Sequence, residues 1–255
     1  MNFLKSFCRN YLYLLTLLLV IVFQIPTIVE AYFWVPQTDV SQKAWTSIVS
    51  SDDGTKVAAT ISNGSIWTST TSGVTWTEQT GSGSRIWLSL ASDSSGTKLV
   101  AGAFGGYIYT SPDSGVTWNP ITDAGTRVWK SITSSSNGEK LVAVVNNGYI
   151  YTSTTSGAVW TAQTGLGSKF WYSAASSDDG SKVFAVENNN GAMGYIYRSM
   201  DSGITWASST SAGLRNWQSI VSDSTGVKLA ATAYGGYIYT STTSGATWAT
   251  STGAG

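Results

Sequence analysis

The sequence contains no histidine, and its single cysteine is Cys8. The commonest general base and metal ligand is therefore missing. A disulfide within the chain and a metal site of the Cys/His type are excluded as well. Charge is scarce and balanced, with 14 basic and 14 acidic side chains making up 11% of 255 residues. A nucleic-acid binder normally carries a basic surplus to meet phosphate, so this balance argues against such a partner. No cofactor and no metal is expected. What is abundant is Ser, Thr and Gly together with aromatics. Twelve Trp and thirteen Tyr beside few Leu suggest a β protein with an aromatic core.

The first thirty or so residues differ in kind from the rest. Lys5 and Arg9 precede an apolar run of 13 residues, 11–23 (YLYLLTLLLVIVF), and Val29-Glu30-Ala31 places small residues at the −3 and −1 positions of a cleavage site. This is the pattern of a helical signal peptide over 1–31, cut after Ala31. An uncleaved anchor is the alternative, but a membrane span needs about 20 residues. Cleavage would remove Cys8, deliver the protein outside the cytoplasm (to the periplasm of a Gram-negative host, or secreted), and leave it without a membrane attachment.

The remainder, 32–255, is a repeat. Two tryptophan series set its register: Trp45, Trp87, Trp129, Trp171 and Trp217, and Trp34, Trp76, Trp118, Trp160, Trp206 and Trp248. Successive members lie 42 residues apart, or 46 across the fourth copy, where Glu187–Gly194 (ENNNGAMG) replaces a short turn. The copies run over about 45–86, 87–128, 129–170, 171–216 and 217–255. Each reads as four short strands. In the first copy these are 45–50 (WTSIVS), 56–61 (KVAATI), 65–69, and a fourth that opens at Thr75-Trp76. The dipeptide Asn63-Gly64, with Gly105-Gly106, Asn147-Gly148 and Gly235-Gly236 as equivalents, favours a primed hairpin turn with φ > 0 at both positions.

Four strands in 42 residues predict one blade of a β-propeller, and stacking of such units buries faces that one unit leaves open. The expectation is an all-β, five-bladed propeller of four-stranded antiparallel blades. The fourth-strand motif occurs six times, because 33–40 already carries a copy. An end strand therefore closes the ring, from either terminus. A truncated six-bladed protein is the alternative.

The third turn carries a motif. Ser111-Pro112-Asp113-Ser114-Gly115-Val116-Thr117-Trp118 and Ser199-Met200-Asp201-Ser202-Gly203-Ile204-Thr205-Trp206 resemble the Asp-box, S-x-D-x-G-x-T-W, of bacterial neuraminidase repeats. The other three copies have Thr71, Thr155 and Thr243 in place of Asp. The resemblance covers about 33–250. Within Asp-box propellers, the short repeat is most similar to the photosystem II assembly factor group, beside sortilin-type receptors, sialidases and xyloglucan-active glycosidases. It implies a turn of structural value and no activity of its own.

A sialidase-like site would need an arginine cluster and a Tyr with a Glu partner, and a glycosidase needs two convergent carboxylates. After the leader the arginines are Arg85, Arg127, Arg198 and Arg215, three of them repeat-equivalent. Asp52, Asp93, Asp178 and Asp223 share one turn position, while Glu78, Asp123, Glu139 and Glu187 are scattered. The chain reads as a non-catalytic binding or assembly scaffold for a protein or anionic ligand. A carbohydrate-binding propeller is the alternative reading, and a sialidase-like hydrolase a weaker one.

Two residues before each first-series Trp stands a cation: Lys43, Arg85, Arg127, Lys169 and Arg215. With the second turns and the blade connections on one face, these form a circle that attracts an anionic ligand. The alternative is that each pairs locally. Phe104 and Tyr234 precede their Gly-Gly turns on that face and could stack on a sugar, or pad a neighbouring blade. First-turn pairs such as Asp52-Asp53 could hold Ca²⁺, but a capped turn is the simpler reading. Asn63-Gly64-Ser65 is a glycosylation acceptor in a eukaryotic host.

Overall fold

The computed structural model describes residues 36–37, 40–188 and 193–251. The signal-peptide reading of 1–31, the strand copy at Trp34 and the centre of the ENNNGAMG insertion lie outside these residues. Twenty strands form five consecutive units. Unit 1 contains β1 (Trp45–Ser50), β2 (Val57–Gly64), β3 (Ile66–Ser69) and β4 (Thr77–Gln79). Unit 2 contains β5 (Arg85–Ser92), β6 (Leu99–Ala103), β7 (Ile108–Ser111) and β8 (Asn119–Ile121). Unit 3 contains β9 (Trp129–Ser134), β10 (Leu141–Gly148), β11 (Ile150–Ser153) and β12 (Thr161–Gln163). Unit 4 contains β13 (Lys169–Ser176), β14 (Val183–Glu187), β15 (Ile196–Ser199) and β16 (Ala207–Ser209). Unit 5 contains β17 (Trp217–Ser222), β18 (Leu229–Ala233), β19 (Ile238–Ser241) and β20 (Ala249–Thr250). Each unit is an antiparallel meander in chain order. Short 3-10 turns at Thr80–Ser82, Thr164–Leu166 and Thr210–Ala212 follow three of the fourth strands and were not foreseen in the sequence.

In units 2 and 3 the second strands are apolar without alternation over Leu99–Ala103 and Leu141–Val145, and are buried throughout. A strand covered on both faces has no polar side to show, so its period-2 signal disappears. The cover comes from the neighbouring units. Each unit sets a front face, bearing its first-strand Trp, on the rear face of the unit before it. The apolar clusters fall at these junctions. Ala58 and Ile66 of unit 1 meet Trp87, Leu90, Ala101 and Tyr109 of unit 2. Val100 and Ile108 meet Trp129, Ile132 and Tyr151. Val144 and Ile150 meet Trp171 and Tyr197, and Phe184 and Ile196 meet Trp217, Ile220 and Tyr239.

Directional bonds accompany the apolar ones. The indole N–H groups of Trp87, Trp129 and Trp217 donate to the carbonyls of Gly64, Gly106 and Gly194 in the preceding unit, at 3.0–3.1 Å. Trp171 is the exception, because its Nε1 is buried without an acceptor. On the opposite edge, backbone bonds run from Asp52 to Ser94, Ser94 to Ser136, Ser136 to Asp178 and Asp178 to Ser224.

The second turn departs from expectation. Asn63, Gly105, Asn147 and Gly235 have positive φ, but the Gly that follows each does not. A primed turn with both residues left-handed is therefore absent at these positions. The second residue is drawn into a ladder with the next unit, as in Gly64↔Arg85 and Gly148↔Lys169. It is Gly for want of space: a Cβ at 148 would lie 2.5 Å from a Val145 methyl.

The last junction differs from the internal ones. Among the described residues no apolar cluster joins unit 5 to unit 1. Trp45 is 39% exposed, whereas its four equivalents are fully buried. The last unit's fourth strand is supplied by β20, which pairs with β19. The C-terminal copy of the motif thus completes unit 5 without sealing it to unit 1.

The junctions carry a stability prediction. Trp129→Ala empties a fully enclosed site and should cost about 3–5 kcal/mol in urea unfolding. Trp45→Ala, at the open end, should cost under about half of that. Equal losses would show that the front of unit 1 is covered.

Candidate binding face

The first and third turns share one edge of the units, since Ser72 N–H donates to the Thr55 carbonyl and Ser114 N–H to that of Thr97. The first-turn carboxylates of Asp53, Asp93, Asp179 and Asp223 are occupied. Asp53 accepts the hydroxyl of Ser51 at 2.6 Å and the backbone N–H of Thr55 at 3.0 Å. These bonds hold its carboxyl down to about 2, and Asp179 is held to about 2 by Ser177 and Ser181 in the same way. Each oxygen points back at its own turn, which is a capped loop and not a cation cradle. Among the described residues no three His, Cys, Asp or Glu side chains gather in a way that would hold a metal.

The third turns are built alike in all five copies. Ser111 Oγ accepts the N–H of Gly115 at 2.8 Å, and Asp113 accepts the Thr117 N–H at 2.8 Å and its hydroxyl at 2.7 Å. Desolvation pushes the Asp113 carboxyl up, but the bonds from Thr117 and Ser111 outweigh it and the net shift is downward. Asp201 is held down to about 2, chiefly by the Thr205 hydroxyl and N–H. Where Thr replaces Asp the hydroxyl takes over: Thr71, Thr155 and Thr243 each accept the N–H four residues on, at 2.9 Å. Ser114 and its equivalents sit in the left-handed region with φ of 50–60°, beside a Gly of positive φ. Such backbone is uncommon for Ser, and the local bonds hold it there.

The opposite edge carries the five cations. Arg85, Arg127, Lys169 and Arg215 enter their units paired to the second-turn Gly of the unit before: Gly64, Gly106, Gly148 and Gly194. Lys43 stands at the open front of unit 1. Every one of the five lies over an aromatic ring of its own third strand. The distances to ring centroids are 4.9 Å for Lys43 over Trp67, 4.4 Å for Arg85 over Tyr109 and 4.9 Å for Arg127 over Tyr151. They are 5.3 Å for Lys169 over Tyr197 and 4.6 Å for Arg215 over Tyr239. Such contacts contribute about 0.5–2 kcal/mol. The arginines also donate to nearby carbonyls, as Arg127 Nε does to Ala124 at 2.9 Å. Each cation thus has a local partner, and the aromatic half of that partnership was not read from the sequence. Its signal was the ring one position beyond the third-strand Ile, Trp67 in the first copy and the second Tyr of each Tyr-Ile-Tyr run in the others.

Unit 4 adds a carboxylate to this pattern. Lys169 Nζ lies 3.5 Å from Glu187 Oε1, and the Tyr197 hydroxyl donates to Glu187 Oε2 at 3.2 Å. Burial lowers the affinity of Lys169 for its proton, but Tyr197 and Glu187 together outweigh it and the ammonium is favoured. Tyr197 has the Glu partner that a sialidase-like nucleophile requires, yet burial pushes its phenol up, away from the phenolate. A lysine, not an arginine cluster, stands beside it. Asp123 accepts the backbone N–H groups of Trp160 and Ala124, and Glu139 accepts an N–H of the Asn137 side-chain amide. Phe104 and Tyr234 project from the second turns of units 2 and 5, 55% and 77% exposed. They belong to different units and do not share one cleft.

No family model matches the sequence, and no curated protein matches it. Solved structures do. The chain superposes on the GH74 enzyme of Niastella koreensis with a TM-score of 0.65 at 18% identity, over 81% of this chain and 38% of that one. It superposes on YCF48 bound to D1 peptide with a TM-score of 0.62 at 16% identity, over 85% and 68%. A third match is the Nidogen/Laminin complex, with a TM-score of 0.60 at 16% identity, over 78% and 75%. The fold is that of a β-propeller. Each four-stranded unit is a blade, and the strand order within it follows. The chain spans 30% and 38% of the first GH74 chains that it matches. At these identities the likeness carries the fold of the blades and no activity.

The turn carboxylates generate a pH prediction. The folded values near 2 of Asp53, Asp179 and Asp201 lie below the ordinary 3.8. A depressed carboxyl adds stability above the unfolded value and loses it as pH falls through the folded one. Thermal midpoints should therefore drop between about pH 4 and pH 2, and Asp201→Ala should flatten part of that drop. An acid limb that is the same in wild type and variant would refute the assignment.

Proposed function

We propose that the protein is a non-catalytic binding or assembly scaffold working outside the cytoplasm, and that it holds a protein or anionic ligand on the second-turn face of its blades. One observation carries this reading. Lys43, Arg85, Arg127 and Arg215 repeat along that face with no carboxylate paired to them among the described residues, where Lys169–Glu187 is the ion pair. Cations held against rings keep their long axes fixed, so a ligand meets preset donors and less side-chain entropy is lost on binding. Exposed Phe104 and Tyr234 on the same face supply the apolar anchors that protein interfaces favour. YCF48, which shares the fold, is seen with a peptide of D1. The apolar run at 11–23 supports an address outside the cytoplasm.

Those exposed rings favour a second reading, a carbohydrate-binding propeller in which they stack on sugars. The two readings separate in one comparison. Acidic peptides should bind the wild-type protein more weakly as salt rises. The pair Arg127→Gln and Arg215→Gln should lower that affinity by about tenfold, which is about 1.4 kcal/mol, with the thermal midpoint followed in parallel. Unchanged peptide affinity in the double variant, or glycan-array binding abolished by Tyr234→Ala, would overturn the scaffold reading.

A further inference from the structure

Among the described residues the blade junction is one interface written four times, and each of its two halves occurs once more without a described partner. The rear half is carried by blade 5. Ile66, Ile108, Ile150 and Ile196 are buried beneath the next blade, but Ile238 is 52% exposed. Val221, Thr232, Tyr237 and Thr240 around it are exposed too. The front half is carried by blade 1. Ile48 is 65% exposed where Leu90, Ile132 and Ile220 are buried. A groove of about 420 Å³ opens beside it, lined by Val40, Trp45, Ile48, Ala59 and Trp76.

The polar contacts stop at the same place. Lys56, Lys98, Lys140 and Lys182 each reach to the next blade, for instance Lys140 Nζ to the Asp179 carbonyl at 3.0 Å and Lys182 Nζ to that of Thr225 at 2.7 Å. Lys228, their equivalent, is exposed. The backbone series that begins at Asp52 ends at Ser224. The indole of Trp45 has no counterpart of the Gly carbonyls that serve Trp87, Trp129 and Trp217.

We propose that the rear face of blade 5 and the front face of blade 1 are the two halves of one interface, and that they join head to tail between two copies of this chain. The occupant is identified by complementarity that the chain itself displays. By repeat equivalence Ile238 covers Trp45 and Ile48 of the second copy, as Ile196 covers Trp217 and Ile220. The Trp45 indole donates to the Gly236 carbonyl, and Lys228 reaches the Asp53 carbonyl as Lys140 reaches that of Asp179. Lys228 also meets the acidic Asp52-Asp53 turn, so the charges agree. A contact between unlike faces is heterologous and propagates from copy to copy.

The test uses the full chain, its Ile48→Glu variant, its Ile238→Glu variant and their mixture, weighed in solution by light scattering and native mass spectrometry. The wild type should run above the mass of one chain in a concentration-dependent way. Each variant alone should lose that association, since each spoils one half. An equimolar mixture should regain a species of two chains, one of each variant, because the intact rear of one meets the intact front of the other. Both side chains are exposed, so the thermal midpoints should hold within about 2 °C. A wild type that is one chain at all concentrations overturns the proposal. So does a single variant whose midpoint falls on the order of 10 °C, which would mean that the ring closes on itself. Association that survives both substitutions also overturns it, by placing the contact elsewhere, as in the apolar run at 11–23.

Discussion

The first-strand tryptophan is the contact on which the architecture depends. A four-stranded blade has two apolar faces and cannot hide either alone. A buried Trp removes roughly 150–250 Å² from water, about 4–6 kcal/mol before entropy is counted. In Trp87, Trp129 and Trp217 the ring sits between blades, edge-on to the third-strand Tyr of its own blade and bonded through Nε1 to a Gly of the blade before. One side chain thus fixes spacing, angle and register together. The Gly at that position follows from the same contact: its carbonyl faces the indole, and its missing Cβ lets the turn fold down onto the residue three before.

The proposed binding face inherits its shape from this arrangement. A cation two residues before the Trp enters beside the preceding blade's Gly, and the third-strand ring below the Trp is the surface it lies on. The cations are therefore part of the packing of each blade. Their stacking satisfies part of their charge within each blade, and the arginines donate to the carbonyls of Ser82, Ala124 and Ala212. Blade 4 differs because Glu187 is added, which turns a stacked cation into a Lys–Glu–Tyr cluster. The opposite edge is quiet by contrast. Asp53, Asp93, Asp179 and Asp223 cap their own turns there, and the third turns are capped in copies with Asp and in copies with Thr alike.

Much of this was legible in the sequence because the repeat makes each residue's environment recur. The paired Trp series gave the repeat period and the strand order within a unit, and β1 appears at 45–50 as read. The turn chemistry of Ser, Asp or Thr, and Gly is local, needing only backbone N–H groups within four residues, and so could be read from spacing. The second turn differs from its reading: only its first residue is left-handed, at Gly235-Gly236 as at Asn63-Gly64, while a ladder to the next blade adds to this where one follows, as Gly64 pairs with Arg85.

By itself, then, the sequence determined the blade: its period, its strands, its capped turns and the positions of its Trp, Tyr and cation anchors. These follow from contacts within one repeat or from one repeat to the next, and a repeated pattern states them several times over. Only the tertiary structure decided what happens at the ends. Whether the last blade meets the first depends on the summed rotation of all the junctions, a quantity that no single repeat encodes. In the described residues Trp45 and Ile238 remain uncovered, although their equivalents at every internal junction are buried.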